Sequence, residues 1–285
     1  MITIIVCSIK QHFLNQLANN IKETIGVKYE LITYNNLVQK KGICEVYNQL
    51  LQKSKYEIAV FVHEDVLFHT HNWGKNLINH FNSDSKIGLI GIAGAKLKTK
   101  APSTWWGVED GQGVQNILHQ DIDKTLKYTS FGWNNDDDNR LTVKVIDGVF
   151  IAMKKTGINF NENIGGFHNY DMSISVDYAI KNYRTVAVKD ILLEHFSYGT
   201  LDEKWVESSH DFYKIYKSVL PVFSDCPPHK KLELKNSMSF IIQAFQFKRH
   251  KIAIYHWWQM FKLSPVSLNH LRIIKNIIWK KRYNA

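Results

Sequence analysis

Within the first 93 residues, short β-branched apolar runs alternate with amphipathic segments, and no other feature narrows the fold so far. Ile2-Thr3-Ile4-Ile5-Val6-Cys7, residues 29–34, Ile58-Ala59-Val60-Phe61-Val62 and residues 87–93 read as strands. Near-continuous apolar runs of that length suit strands buried on both faces. Between the first two, Phe13, Leu14, Leu17, Ile21 and Ile25 recur near one helical face. Residues 43–53 and 73–81 repeat the helical spacing. The order β-α-β-α-β-α-β predicts an open α/β sheet whose ligand site lies at the carboxyl ends of its strands.

The pattern breaks between residues 94 and 140, where the chain is polar and carries Trp105-Trp106-Gly107 and Asn134-Asn135-Asp136-Asp137-Asp138-Asn139. A long irregular insert in a compact domain is usually functional. Asn/Asp runs are far more often turns than cation sites. Strands are expected again at 141–146, 149–153 and 185–188, with helices at 171–181 and 202–220. Pro227-Pro228 marks a boundary, followed by helices at 236–247, 250–262 and 266–281.

Charge supports that boundary. The chain has 36 Lys and Arg against 26 Asp and Glu, a net of +10. Residues 227–285 hold 12 of the basic residues and one acid, Glu233, so residues 1–226 are close to neutral. This divides the chain into a body, 1–226, and a basic helical tail, 227–285. A uniformly basic nucleic-acid binder is disfavoured, and no nucleic-acid partner is expected. The tail interleaves its basic residues with Trp257, Trp258, Phe261, Trp279 and Tyr283, which suits contact with an anionic bilayer surface. The other reading is a helical subdomain packed on the body. Cys7, Cys44 and Cys226 are odd in number and scattered, with no CxxC pair, which fits reduced thiols in the cytoplasm. No run of about 18 apolar residues exists, and the N-terminus reads as a strand rather than a signal peptide.

Three segments carry chemistry. His63-Glu64-Asp65-Val66 follows a buried strand. Asp65 there suits a hard cation such as Mg²⁺ or Mn²⁺, with His63 or Glu64 as helper, though a solvated turn has the same composition. Asp171 opens a helix after Gly165-Gly166-Phe167-His168-Asn169-Tyr170 and serves equally as a cap. His195 leaves a strand in Leu193-Glu194-His195-Phe196-Ser197, and a lone His there is more often structural. No G-x-x-x-x-G-K-[ST] and no G-x-S-x-G occurs.

In this order the segments resemble GT-A-fold glycosyltransferases, specifically the family 2-like bacterial enzymes, over roughly residues 1–200. Asn48 in Val46-Tyr47-Asn48-Gln49-Leu50 matches their Asn-bearing helix. His63-Glu64-Asp65-Val66 resembles their DXD motif with His in the first acidic position. Asp147-Gly148-Val149-Phe150 resembles the strand lining the acceptor cleft. The segment ending in Asp171 resembles the one supplying the catalytic base, and His195 the late metal ligand. The resemblance implies a GT-A type open mixed sheet flanked by helices, with a nucleotide-sugar half (1–93) and an acceptor half (94–226).

It further implies a divalent cation, Mn²⁺ or Mg²⁺, held by Asp65, His195 and His63, with Asp171 as base for inverting transfer. The donor, a UDP-sugar by preference, would meet Ser8, Glu30, Lys41, Asn48 and Glu64. The acceptor, a glycan or lipid-linked glycan of bacterial surface polysaccharide synthesis, would meet Asp147, Gly148 and His168, while Trp105 and Trp106 in the insert suit stacking on its sugar faces and core packing equally. Two readings compete: a sugar-1-phosphate nucleotidyltransferase, disfavoured by the glycine-free Cys7-Ser8-Ile9-Lys10-Gln11-His12, and a non-catalytic binding protein of the same fold.

Overall fold

The computed structural model describes residues 1–120, 125–133, 139–197, 199 and 201–283, with side chains through 278. The first elements are β1 (Ile2–Ser8), α1 (Gln11–Thr24), β2 (Tyr29–Asn35), α2 (Ile43–Lys53), β3 (Ile58–Val62), β4 (Val66–Phe68), α3 (Trp73–Ser83) and β5 (Ile87–Gly91). After them come β6 (Ala93–Ala95), β7 (Leu97–Lys98), β8 (Gly113–Gln120), β9 (Leu126–Phe131), β10 (Arg140–Val143), β11 (Val145–Ile146) and β12 (Phe150–Lys154). The chain ends with α4 (Tyr170–Ile180), β13 (Arg184–Val188), β14 (Leu193–His195), α5 (Glu203–Tyr216), β15 (Val222–Phe223), α6 (Lys230–Gln246), α7 (His250–Leu263) and α8 (Asn269–Tyr283).

Seven strands form the main sheet in the order β10-β13-β5-β12-β3-β1-β2. β1 pairs in parallel with β2 and β3, as the crossover helices require. β5 does not join β3 directly. β12 enters between them, antiparallel to both. Alternation then divides the core. Ile4, Val6, Val60 and Val62 pack with Leu17, Ile21, Trp73 and Leu77 on one side. Ile5 and Phe61 pack with Tyr47, Leu50 and Ile174 on the other. Each such fully buried side chain contributes roughly 1.5–3 kcal/mol, so the loops at the sheet's edge rest on a rigid support.

Two expectations need correction. The 94–140 segment is not irregular throughout its described residues. It holds β7 and the β8–β9 hairpin, part of a second sheet ordered β11-β6-β8-β14-β4 with β9 on β8. β9 is mostly exposed, so its sequence lacks the apolar alternation that marks a half-buried strand. The expected strand 141–146 is two strands, β10 and β11, which join different sheets. Residues 134–138 of the Asn/Asp cluster lie outside the described residues.

The first of the C-terminal helices packs on the body. α6 starts at Lys230, six residues before its expected start, and packs on α5 through Trp205 and Phe240, whose rings lie 5.6 Å apart. Glu233 accepts from the backbone N–H groups of Lys100 and Ala101, and Asn236 donates to the Gly107 carbonyl. Among the described residues no helix is long and apolar enough to cross a membrane.

Candidate functional site

Strand direction collects the chemistry at one edge. β3 ends at Val62, so His63, Glu64 and Asp65 leave its carboxyl end. Because β12 runs antiparallel, its first residue, Phe150, pairs with Val62, and this puts Asp147 and Gly148 at the same edge. The His63 amide donates to the Val149 carbonyl at 3.2 Å. β14 pairs antiparallel with β4, setting His195 opposite Val66, and the Phe196 amide donates to the Asp65 carbonyl. Residues 132 positions apart in sequence thus become neighbours.

His63, Asp65 and His195 present ligand atoms all within 4.8 Å of one another. His195 Nε2 lies 3.5 Å from His63 Nδ1 and 3.4 Å from an Asp65 carboxylate oxygen. Ser197 Oγ donates to the other Asp65 oxygen at 2.7 Å. Burial alone would raise the Asp65 pKa, but His195, Ser197 and His63 hold it well below the usual carboxylate range. Burial, and then the neighbouring His195, lowers the His63 pKa and favours its neutral imidazole, the form that ligates metals. Two imidazoles and one carboxylate converging on one point form a donor set that fits a divalent transition ion. Mg²⁺, which favours an all-oxygen shell, fits it less well.

The tautomer of His63 follows from a hydrogen-bond count. Tyr170 has a single hydroxyl proton, which it donates to the Gly148 carbonyl at 3.1 Å. It can therefore only accept from His63 Nε2, 2.9 Å away. That leaves the Nδ1 lone pair facing His195 and Asp65. Gly148 has a packing reason too, since a Cβ there would overlap the Tyr170 hydroxyl.

Asp171 is the next residue on α4. Its two oxygens accept from the amides of Gly148 at 3.1 Å and Met172 at 2.8 Å. Burial, and then the charge of Asp147, pushes its pKa up to about 7, against these backbone hydrogen bonds. Asn169 holds the left-handed conformation at the helix start, with its amide on the hydroxyls of Ser208 and Ser209 in α5. The helix carrying Asp171 is thereby anchored at its first turn.

A cavity of about 430 Å³ opens beside these groups, lined by His63, His195, Asp147, Gly148, His168 and Asp171. Its aromatic wall contains Trp105, Trp106, Phe131, Phe167 and Trp205. Trp105 is buried and donates Nε1–H to Asp147 at 2.5 Å, while Trp106 is half exposed and meets Trp105 edge to face. His168 sits 3.2 Å from Asp202. Tyr170, Ser197, His119 and the walls Phe131, Phe167 and Trp205 were not singled out as site residues from sequence. Their roles depend on contacts that no local spacing encodes.

The expected donor residues are placed differently. None of Ser8, Glu30, Lys41, Asn48 and Glu64 lines this cavity. Glu30 lies at the amino end of β2, bonded to Thr3 and the Lys55 amide, five residues from the carboxyl edge at Asn35. At about 3.3 Å per residue it is too far to hold a base there. Asn48 is buried, and its amide is used on Phe160 N–H, Phe160 C=O and Glu162, which ties α2 to the 160–162 loop. Lys41 pairs with Glu45 at 2.5 Å. Glu64 accepts from Ser8 Oγ and from the amides of Ile9 and Lys10. The amide nest before α1, which elsewhere suits phosphate, is thus filled by the protein's own carboxylate.

A mixed sheet with crossover helices, a His/Asp/His cluster at its carboxyl edge and an acid across an adjoining cavity together define a GT-A type transferase fold. Residues 3–218 match the model of a glycosyltransferase-like family, and the chain belongs to that family. No curated protein matches it at a significant level. A structure of GalNAc-T7 with UDP, GalNAc and Mn²⁺ is similar at 12% identity and a TM-score of 0.51, over 76% of this chain and 49% of that one. The chain thus spans about half the length of that protein. The mannosyltransferase PcManGT from Pyrobaculum calidifontis, in complex with GDP-Man and Mn²⁺, is similar at 11% identity and a TM-score of 0.48, over 98% and 87% of the two chains.

Proposed function

We propose that this chain is a metal-dependent, inverting glycosyltransferase that moves a sugar from a nucleotide-sugar donor to a hydroxyl of a glycan or lipid-linked glycan. One observation carries the reading: the Asp171 carboxyl, with a pKa near neutral, and the His63/His195 pair line the same aromatic-walled cavity. A general base works best when its pKa is near the operating pH. Asp171 takes the acceptor hydroxyl's proton as that oxygen attacks. One base and no second carboxylate nucleophile in the scheme gives single displacement with inversion. Asp65, His195 and His63 hold the cation, with Mn²⁺ favoured by the imidazole donors. When bound, that cation offsets the charge developing on the leaving diphosphate. Trp106, half exposed, offers a face for a sugar ring, Trp105 packs behind it and fixes Asp147, and Asp147 and His168 offer polar partners for acceptor hydroxyls. The UDP and Mn²⁺ in the GalNAc-T7 structure support a UDP-sugar and Mn²⁺ as first choices.

The direct test is thermal stability across a panel of nucleotide sugars with and without Mn²⁺, followed by assay of nucleoside diphosphate release. One nucleotide sugar should raise the melting temperature only when Mn²⁺ is present. No Mn²⁺-dependent rise with any donor would reject the reading. Stabilisation without any release or transfer would leave only a binding protein.

Tyr170→Phe gives a narrower check. Loss of the hydroxyl removes the acceptor that sets the His63 tautomer. Groups that orient metal ligands typically contribute 10–100-fold in metal affinity. Calorimetric titration with Mn²⁺ should show a loss of about that size. Unchanged affinity would mean that His63 is not a ligand through Nδ1.

A further inference from the structure

The end of the chain presents a surface that the transferase reading leaves unused. α7 buries Ala253, His256 and Met260 against α5 and α6. Its opposite face exposes Ile254, Trp258 and Phe261, at helical spacing. The turn to α8 carries Val266, 93% exposed, and Leu268, 69% exposed. α8 adds Leu271, Ile274 and Ile278, all exposed, while its Ile273 is buried. The turn between the two helices is tied by side chains. Trp257 Nε1 donates to His270 Nδ1 at 2.9 Å, and His270 Nε2 meets the Ser264 carbonyl at 2.9 Å, which closes the turn. Trp258 and Phe261 stack, with the Lys262 ammonium 5.6 Å above the Trp258 ring.

Scattered exposed apolar residues need no explanation, but these eight large ones, gathered on two consecutive helices and their turn, do. Charge selects the occupant. From His250 to the end there are seven Lys and Arg (Lys251, Lys262, Arg272, Lys275, Lys280, Lys281 and Arg282) and no acid. A second copy meeting this patch about a two-fold axis would set Lys251, Lys262 and Arg272 against their own kind. Anionic lipid headgroups neutralise them, while the apolar side chains enter the boundary of the acyl region.

We propose that α7, the 264–268 turn and α8 form a docking face for an anionic lipid bilayer. The patch holds the body at the membrane surface without spanning it. This extends the transferase reading by placing the enzyme where a lipid-linked acceptor resides. The test needs neither donor nor metal, so its failure leaves the transferase reading untouched.

Full-length protein is sedimented with phosphatidylcholine vesicles, with and without phosphatidylglycerol. It should pellet with the anionic vesicles, and rising salt should release it. The triple substitution Trp258→Ser, Phe261→Ser, Val266→Ser should weaken partitioning at least about tenfold. All three side chains are exposed, so circular dichroism and the melting temperature should stay at wild-type values. Lys262→Glu with Arg272→Glu should weaken binding to anionic vesicles by about tenfold or more and flatten its salt dependence. The proposal is overturned if the wild-type protein stays in the supernatant, or if the triple variant pellets like wild type. It is equally overturned if the patch substitutions abolish self-association, or binding to an acidic protein or an oligonucleotide, while vesicle binding is absent.

Discussion

Asp171→Asn is expected to slow sugar transfer by about 10²–10⁴-fold while making the protein more stable. Asparagine keeps the shape and still accepts one of the two backbone N–H groups that the carboxylate accepts. It cannot take a proton, and positioned bases contribute rate factors of that size. The stability gain comes from the same burial. Asp171 has a pKa of about 7 in the folded chain and an ordinary value when unfolded. The unfolded state therefore loses this proton first, and folding is progressively disfavoured as pH rises from about 4 to about 7. Above that range the ionised carboxylate destabilises the fold by a few kcal/mol. The melting-temperature advantage of Asp171→Asn should be absent near pH 3, grow through that window and level off above it. In the wild type, kcat/KM should rise with pH and plateau above about 7, because only the ionised form accepts a proton. A variant that keeps wild-type turnover removes Asp171 as the base. Loss of donor affinity in step with rate makes it a binding or capping residue.

Asp65→Ala should abolish the response to Mn²⁺ and lower turnover by about 10³-fold, the order expected when a cation's stabilisation of a leaving group is lost. The substitution leaves the Asp65 carbonyl, which accepts from Phe196, in place. The join between the β3 loop and β14 should survive, but the carboxylate's contacts with Ser197 and His195 are lost, so the melting temperature without metal should fall at neutral pH. His195→Ala should have a smaller effect on metal dependence, since Asp65 supplies the charge. Turnover against Mn²⁺ concentration separates the cases. Wild-type rates for Asp65→Ala at limiting Mn²⁺ would place the cation elsewhere.

Much of the architecture of residues 1–93 was legible because it is written in local periodicity. Residues 43–53 and 58–62 were predicted with the boundaries that α2 and β3 have. Burial on both sheet faces demands continuous apolar runs, and amphipathic helices demand a 3.6-residue repeat. The same logic put His63 and Asp65 at a strand end, whereas Asp147 was marked only by the family resemblance. Long-range pairing carries no such local signal. β12 slips between β3 and β5, and only that antiparallel insertion delivers Gly148 to the edge where His63 stands.

Glu30 and Asn48 mark the limit from the other side. Both are polar residues in apolar surroundings, a pattern shared by ligands and by buried ties. Only the pairing register puts Glu30 at the wrong end of β2, and only the approach of Phe160 uses up the Asn48 amide. Likewise, sequence alone disclosed a basic, aromatic C-terminal segment, because charge and composition need no coordinates. Tertiary packing decided which side of it is covered. α6 and one face of α7 close over Trp205, and the face carrying Trp258 and Phe261 is left outward, since a helix buries only the stripe its neighbours reach.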